Sequence, residues 1–399
     1  MIFHSIDNKS ICKNIVVNNK IVVDPSYENL TGSWDYNIDH NNDQIQYAKL
    51  YLQGKSLDEV CPLHLKDEWE KVKEKHTKFI KTFKTANVQA SDYCFYDLVP
   101  ESFLLEYFGH KCKIIEHVLE KHKKPSNYEH LLELTKLIKS IEENSLNIDL
   151  ISLSKRMHKE KTRRFREKIN RTSSKISYNI FGTKTGRLAT NKRSFPILTL
   201  DKDHRSILKS NNDFIIELDF NGAELRSLLA LNKVEQPQND IHEWHHQEIM
   251  KSYGKDITRE EIKKKIFAWL YGGLEASLGI PSIEKFYNKQ SVVNEYWDGE
   301  KIVNPFGREI PCDKFHALNF LIQSTTSDLF LRRAVAVHNL LKGKKTKIIA
   351  LIHDSMLLDF CKEEKEMLPN IIETFSTTDF GTYKVNKKIG LDFGNMRSF

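Results

Sequence analysis

The segment from Arg259 to Gly272 constrains the fold most, because its residue types repeat with a helical period. It reads Arg-Glu-Glu-Ile-Lys-Lys-Lys-Ile-Phe-Ala-Trp-Leu-Tyr-Gly. A step of four residues turns an α-helix by about 400°, so residues spaced by four form one slowly drifting stripe. At about 1.5 Å per residue the stripe is roughly 18 Å long. It holds two cations and then two aromatic rings: Arg259, Lys263, Phe267 and Tyr271.

The two ends of this stripe match the two ends of a nucleotide. Cations bind phosphates, and aromatic rings stack on a sugar and base, so one helix face could hold a nucleoside triphosphate. The alternative is an amphipathic helix with a solvated basic face, which is common for runs of charge. The nucleotide interpretation becomes specific only if metal-binding carboxylates flank the helix.

Two carboxylates do flank the helix, each at the polar end of an apolar strand. Asp219 ends the run Phe-Ile-Ile-Glu-Leu-Asp, and Asp354 lies in a tight turn between two apolar runs. Asp219 could instead cap the following helix, and Asp354 could lie at a solvated hairpin tip. If the strands are neighbours, the carboxylates repel each other unless divalent ions, about 3.5–4 Å apart in two-metal sites, bind between them. Oxygen ligands of this kind favour Mg²⁺.

The charge of the chain favours a polyanionic partner without proving one. The 399 residues are enough for two or three structural units, and their net charge is +7. Between Lys155 and Arg171 nine Lys or Arg residues stand against two Glu, a local balance of 9 − 2 = +7. This segment is either a solvated helix or a surface that contacts phosphates.

The cysteines and the N-terminus predict an intracellular protein. The six cysteines lack zinc-ligand spacing, and we expect reduced thiols in a chain of this size. The N-terminus lacks the basic-then-apolar pattern of a signal peptide. We find no run of about 18 apolar residues. We therefore expect an intracellular monomer that does not span a membrane.

Taken together, these motifs resemble DNA polymerases of the bacterial DNA polymerase I family, called family A. The similarity extends from about residue 100 to the end, with the three motifs in order. It implies an α+β fold, a right-hand polymerase with a helical thumb, an antiparallel-sheet palm and helical fingers. The implied division is an N-terminal segment of unknown role (1–64), thumb (65–172), first part of the palm (173–232), fingers (233–303) and second part of the palm (304–399).

The resemblance assigns the chemistry to a few residues. Asp219 and Asp354 would bind two Mg²⁺ ions, helped by the backbone carbonyl of Phe220. Lys263 would neutralise phosphate charge and protonate the leaving group, and Arg259 would bind the phosphates.

The resemblance also implies contacts to the incoming nucleotide. Glu224, in the context Asp-Phe-Asn-Gly-Ala-Glu-Leu-Arg, corresponds to the steric gate that fills the space of a ribose 2′-hydroxyl. His242, in Asp-Ile-His, would contact the phosphates. Phe267 and Tyr271 would stack at the sugar and base.

Further residues would bind DNA. Arg187, in Thr-Gly-Arg-Leu, would reach the minor groove near the primer end, and His353 would also contact DNA. Asn319 and Gln323 are one helical turn apart and would contact the minor groove, where hydrogen-bond acceptors are common to all base pairs. The basic segment in the thumb would grip duplex phosphates without reading sequence.

Three departures from the family pattern carry their own expectations. Ser355 stands where the family has an auxiliary Glu, so we expect altered metal tuning. Phe315 stands where family members often have Arg, so that contact is either missing or taken over by Lys314. Asn221 and Gly222 replace a Ser-Gln pair, which affects secondary contacts.

The sequence therefore predicts a template-directed DNA polymerase that extends a primer 3′ end with dNTPs, by two-metal phosphoryl transfer on a primed DNA template. A proofreading 3′–5′ exonuclease needs far more chain and an Asp-x-Glu on a strand ahead of the polymerase region, and we find neither. The small form without exonuclease would suit a virus or mobile element. The alternatives are a single-subunit RNA polymerase, against which Glu224 argues, and a non-catalytic DNA-binding relic.

Overall fold

The computed structural model describes residues 1–7, 13–26, 28–38, 44–89, 93–253, 258–272 and 277–399. The chain divides into two compact units, Met1–Lys136 and Leu137–Phe399. This division falls inside the segment predicted as thumb, so that segment draws on both units. The finer division into thumb, palm and fingers stays a prediction.

The first unit begins with a small antiparallel sheet in the order β1-β2-β3. The β2–β3 turn is Asn18-Asn19, whose φ angles of 48° and 56° suit a two-residue hairpin turn. Two short parallel strands, β4 and β5, follow. The strands are β1 (Phe3–Ser5), β2 (Ile15–Val17), β3 (Lys20–Val22), β4 (Gly32–Ser33) and β5 (Gln46–Tyr47).

The rest of the first unit is helical and packs around two long helices that each begin directly after a proline. Proline fixes φ and lacks a donor, so it suits the start of a helix. The helices share an aromatic core in which the Tyr107 ring stacks on Trp69 at 5.6 Å and on His76 at 4.8 Å. The helices are α1 (Ala48–Tyr51), α2 (Leu57–Val60), α3 (Leu63–Thr85), α4 (Phe95–Leu98), α5 (Glu101–Lys121) and α6 (Tyr128–Glu143), which crosses into the second unit.

The second unit is built on a five-stranded antiparallel sheet in the order β13-β14-β10-β17-β18. Its strands are β10 (Phe214–Phe220), β13 (Lys347–Ile352), β14 (Ser355–Phe360), β17 (Val385–Gly390) and β18 (Arg397–Ser398). The central strand β10 alternates, with Ile216, Leu218 and Phe220 on one face and Glu217 and Asp219 on the other. Short pairs complete the set: β6 (Asn147–Ile148), β7 (Tyr178–Asn179), β8 (Ala189–Thr190), β9 (Leu208–Lys209), β11 (Lys301–Val303), β12 (Glu309–Pro311), β15 (Thr377–Thr378) and β16 (Gly381–Thr382).

The helices of the second unit pack beside this sheet and on one another. The Phe220 ring, at the end of β10, stacks on Phe375 at 4.3 Å and meets Phe330 edge-on at 6.4 Å, which ties the sheet to two helices. The helices are α7 (Glu160–Ile169), α8 (Ala223–Leu231), α9 (Ile241–Tyr253), α10 (Arg259–Tyr271), α11 (Pro281–Glu284), α12 (Lys289–Tyr296), α13 (Lys314–Leu340) and α14 (Leu368–Ser376). Helices and antiparallel strands together give the α+β class that the sequence predicts.

The structure also tests two minor expectations. Within the described ranges, no helix is long and apolar enough to cross a membrane. Cys61, Cys112, Cys312 and Cys361 are free thiols, as expected. Cys94, however, is disulfide-bonded, so the expectation of six reduced thiols is wrong. Sequence spacing does not reveal a disulfide, which needs only that two Cα atoms lie close in the fold. The remaining cysteine, Cys12, lies outside the described residues.

Candidate active site

The two aspartates are neighbours at one end of the sheet. β10 pairs with β14 so that Asp219 lies opposite Ser355, the residue after Asp354. The amide of Phe220 donates a hydrogen bond to the carbonyl of Asp354 at 3.3 Å. His353, with φ 56°, closes the β13–β14 turn and places Asp354 beside β10. The predicted convergence of two strand-end carboxylates is therefore present in the fold.

The two carboxylates share a strongly negative environment. Burial raises the pKa of Asp219 to about 7, with a further rise from the charge of Asp354, while a hydrogen bond from Asn386 Nδ2 at 3.1 Å opposes the rise. Burial also raises the pKa of Asp354 to about 6, with smaller rises from Glu224 and Glu217. An excess of negative charge in a buried place favours binding of a cation.

The donor set fits Mg²⁺ better than a transition metal. Across the described part of the chain, no three His, Cys, Asp or Glu side chains lie together in a way that could hold a metal ion. Among the described residues, the side-chain donors that we consider are thus the two carboxylates. Mg²⁺ is commonly held by one or two carboxylates, with its other positions taken by waters and substrate phosphates. The residues present therefore fit Mg²⁺ ions that are shared with a phosphate substrate.

A cleft of about 270 Å³ lies next to Asp354 and includes part of the predicted site. It is lined by residues at the start of α8 and by the aromatic end of α10. Six of the predicted site residues line it: Arg187, Glu224, Phe267, Tyr271, His353 and Asp354.

Glu224 forms hydrogen bonds with two other residues that line the cleft. Its carboxylate accepts a hydrogen bond from Arg187 Nη2 and another from the Tyr271 hydroxyl. Burial and this carboxylate raise the pKa of Tyr271, so the phenol remains a donor. The Phe267 ring lies nearly parallel to that of Tyr271, with 6.3 Å between the ring centroids. The steric-gate candidate is thus fixed from both sides.

The basic end of the α10 stripe is anchored separately. Thr258 caps α10 and forms a capping box with Glu261, which confirms the predicted helix. Arg259 donates from Nη2 to Asp240 Oδ2 at 2.8 Å and from Nε to Asp240 Oδ1 at 3.3 Å. Lys263, one turn further, is exposed. Of the two cations, Arg259 is thus half-exposed and paired with Asp240, and Lys263 is exposed on the helix whose aromatic end lines the cleft.

His242 differs from the other predicted nucleotide-binding residues because it is only 4 % exposed. Burial lowers its pKa to about 4, so the imidazole is neutral near pH 7. Its ring lies 5.7 Å from the Phe267 ring and is not part of the cleft lining. In this arrangement His242 supports Phe267.

The predicted DNA-contacting pair lies on α13, where both side chains are half-buried. Asn319 Oδ1 is buried and accepts no hydrogen bond from any residue that the structure describes. A buried acceptor without a partner is costly, so it is a ready contact for a donor from a ligand. Phe315, at the start of the same helix, is 67 % exposed.

A buried polar network behind the site was not found from the sequence. Asn221 donates from Nδ2 to Asp240 Oδ2 at 2.7 Å, and its Oδ1 accepts from the amide of Ile241 at 2.8 Å. Arg226, which is fully buried, donates to the carbonyls of Asn221, Pro237 and Asn239. The Glu-Leu-Arg of the motif marks Arg226, but nothing local in the sequence marks its partners.

Comparison with known proteins finds relatives that are similar to part of this chain. No family model matches the chain. It is 28% identical to DNA polymerase I of Aquifex aeolicus over 235 residues, which is 48% of this chain and 40% of that protein. It is 26% identical to a DNA polymerase of Mycobacterium phage L5 over 191 residues, 41% of this chain and 30% of that protein. The chain thus matches less than half the length of these relatives.

A solved structure shares the fold. The POL domain of Pol1 from M. smegmatis, in complex with DNA primer-template and dNTP, superposes with a TM-score of 0.60. The match covers 87% of this chain and 81% of that one at 12% identity, so it shows the fold alone. Sequence and fold together confirm that this chain resembles the family A DNA polymerases of the DNA polymerase I type.

Proposed function

We propose that this protein is a template-directed DNA polymerase that extends a primer 3′ end with dNTPs. The observation that carries the proposal is the pairing of β10 with β14, which brings Asp219 and Asp354 together beside the cleft. The similarity to proteins named DNA polymerase, and the fold of a polymerase domain, support it.

The chemistry would be phosphoryl transfer at the two aspartates. Asp219, Asp354 and the backbone carbonyl of Phe220 would hold two Mg²⁺ ions, whose charge would activate the primer 3′-hydroxyl and stabilise the departing pyrophosphate. Phosphoryl transfer needs little beyond positioning and charge neutralisation. Arg259 and Lys263 would bind the triphosphate, and Lys263 would give a proton to the leaving group.

The cleft would hold the sugar and base of the incoming dNTP. Phe267 and Tyr271 offer aromatic faces for stacking, and Glu224 is fixed by Arg187 and Tyr271 where it can fill the space of a 2′-hydroxyl. His242 would act on the nucleotide through Phe267.

Duplex DNA would be bound by two residues that line the cleft and by groups away from it. Arg187 and His353 line the cleft, and Asn319 Oδ1, a buried acceptor without a partner among the described residues, can receive a hydrogen bond from a guanine amino group or a water in the minor groove. Gln323 follows one turn later on α13. The basic segment that contains α7 would bind duplex phosphates in a sequence-independent way.

The test is primer extension on a primed DNA template with Mg²⁺ and dNTPs. We expect templated extension by the wild type, and its reduction by a factor on the order of 10³ or more in Asp219→Ala and in Asp354→Ala. DNA binding should survive both changes. The matched control is Asp392→Asn, a buried carboxylate of the same unit that lies away from the cleft.

Two results of this assay would favour a different function. Extension with rNTPs in preference to dNTPs would indicate the single-subunit RNA polymerase. Binding of primed DNA without any extension would indicate a non-catalytic relic. In the same assay we expect a mismatched primer 3′ end to be retained, as for a polymerase without proofreading, and its removal would contradict that part of the proposal.

A further inference from the structure

A polar patch covers one face of the central strands next to the proposed cation site. Side chains alternate along a strand, so Glu217 and Asp219 project from the same face of β10. The register places Asp219 between Ser355 and Asn386, and it places Glu217 between Leu357 and Lys388. Glu217 is therefore an acidic side chain one strand repeat away from Asp219, on the same face of the sheet.

Glu217 is engaged from both neighbouring strands. Its Oε2 accepts a hydrogen bond from Lys388 Nζ at 2.7 Å, and its Oε1 accepts one from Ser355 Oγ at 3.3 Å. Because both oxygens have donors in this arrangement, we treat Glu217 as a neighbour of the cation site and not as one of its ligands. This agrees with the finding that the described residues form no three-ligand cluster.

The two charges of this pair differ in their exposure to water. The side chain of Glu217 is 9% exposed, and that of Lys388 is 42% exposed. Water screens an exposed charge much more than a buried one, so the carboxylate acts on its surroundings more strongly than the ammonium. The charge of Glu217 bears on both aspartates, and the charge of Lys388 acts on Asp219 in the opposite sense.

We propose that Glu217 and Lys388 set the divalent-cation affinity of the Asp219–Asp354 site, with Glu217 as an additional buried negative charge and Lys388 as the partial counter-charge. Glu217 is a positioning residue that acts through its charge, and Ser355 fixes its direction across the strand pair. The inference rests on the proposed function, because it requires that the two aspartates bind cations. It also gives a role to Ser355, which stands where the family has an auxiliary Glu. The carboxylate that tunes the metal site is then Glu217 on β10, and the Ser355 hydroxyl holds it in place.

The decisive measurement is cation binding without DNA or dNTP. Mn²⁺ is titrated into the protein, and free Mn²⁺ is followed by electron paramagnetic resonance. Glu217→Gln removes the buried charge and leaves Lys388 unpaired, so we expect Mn²⁺ to bind about tenfold more weakly. Lys388→Met leaves Glu217 uncompensated, so we expect binding about threefold tighter. The charge-preserving variant Glu217→Asp should stay within about threefold of the wild type.

Opposite changes of Mn²⁺ affinity in Glu217→Gln and Lys388→Met distinguish this role from a purely structural one. A salt bridge that only stabilised the sheet would give the same direction of change from either side, through loss of folded protein. Circular dichroism and a thermal melt record the folded fraction of each variant. If Glu217→Gln does not fold, the sign of Lys388→Met and the retention in Glu217→Asp still decide the question.

The chain offers a matched control pair. Asp392 and Lys209 also form an ion pair, 3.3 Å long, with side-chain exposures of 9% and 33%. Asp392 follows Gly390, which pairs with Ile215 at the far end of β10. Four residues of strand separate Ile215 from Asp219, roughly 13 Å at about 3.3 Å per residue. We expect Asp392→Asn and Lys209→Met to leave Mn²⁺ affinity within about twofold of the wild type.

The outcomes separate this inference from the proposed function. Wild-type Mn²⁺ binding that Asp219→Ala does not change would overturn the cation site, and the inference with it. Binding that depends on Asp219, but that stays within twofold in Glu217→Gln or weakens in Lys388→Met, would overturn the inference alone.

Discussion

Asp240 and Arg259 form a two-point ion pair that links the N-termini of α9 and α10. The guanidinium donates to both carboxylate oxygens, at 2.8 and 3.3 Å, and the same carboxylate caps α9 through the amides of His242 and Glu243, each at 3.0 Å. Burial alone would raise the pKa of Asp240, but these hydrogen bonds hold that pKa well below its usual range. The carboxylate thus stays ionised and fixes the basic end of the stripe.

We expect Asp240→Asn to weaken dNTP binding while the chemical step is largely kept. Without the anionic partner, Arg259 loses its fixed direction, so the KM for dNTP should rise about five- to tenfold, which corresponds to ~1–1.4 kcal/mol. The kcat should change less than about threefold, because the residues at the two aspartates are untouched. Steady-state primer extension measures both.

Asp149→Asn is the control, since Asp149 also caps a helix by accepting from two amides, those of Ile151 and Ser152. An unchanged KM in Asp240→Asn would show that Arg259 needs no partner to bind the triphosphate.

Glu224→Ala should admit ribonucleotides. The carboxylate is held by Arg187 and Tyr271, so its removal opens a defined space beside the proposed position of the sugar. We expect the ratio of kcat/KM for dNTP over rNTP to fall at least about tenfold, since rejection by a filled pocket is lost with the side chain. Glu224→Gln keeps the volume and should keep most of the discrimination. A selectivity that Glu224→Ala leaves unchanged would remove Glu224 from the gate role.

Gly186→Ala should destabilise the protein more than Gly343→Ala. Both glycines have a left-handed backbone, with φ of 76° and 75°. A Cβ on Gly186 would lie 2.6 Å from the Arg308 guanidinium, whereas a Cβ on Gly343 would meet nothing within 4 Å. Arg308 is fixed by two hydrogen bonds to the buried Asp328, at 2.9 and 2.7 Å.

Both substitutions should cost about 1 kcal/mol of backbone strain. Gly186→Ala should cost about 1–3 kcal/mol more through the clash. It should also lower primer extension, because Arg187 follows directly in the chain. Urea unfolding gives the two free energies, and equal losses would mean that the Arg308 contact relaxes freely.

The buried His245 should make the protein less stable as the pH falls from 7 to 5. Burial lowers its pKa to about 3; a proton on the neighbouring His242 would lower it further, Asp240 opposes the shift, and Arg226 adds a smaller lowering. Its ring nitrogen Nε2 is hydrogen-bonded to the Tyr287 hydroxyl at 2.7 Å.

Because the unfolded state takes up this proton near pH 6.5 and the folded state does not, each pH unit below that value should remove up to about 1.4 kcal/mol. The dependence should end below the folded pKa, where both states are protonated. His245→Gln can keep the bond to Tyr287 without titrating, so its unfolding free energy should fall less between pH 7 and 5. Equal slopes in the two proteins would show that another group dominates in this range.

The local sequence determined the elements that carry the site. The four-residue spacing from Arg259 to Tyr271 predicted α10, because that period matches one face of a helix. The apolar runs that end at Asp219 and surround Asp354 predicted strands and a turn for the same kind of reason. Each of these patterns depends only on residues that are close in sequence, within about one or two helical turns. It can therefore be recognised without knowledge of the tertiary structure.

Only the tertiary structure decided which distant groups act on one another. Asn386 donates to Asp219, Lys388 pairs with Glu217, and Cys94 is disulfide-bonded. These contacts depend on strand register and packing, and a shift of one residue in β17 would turn Asn386 and Lys388 to the other face of the sheet. The sequence names the residues that can carry charge, but register and burial decide which charges meet and how strongly water screens them.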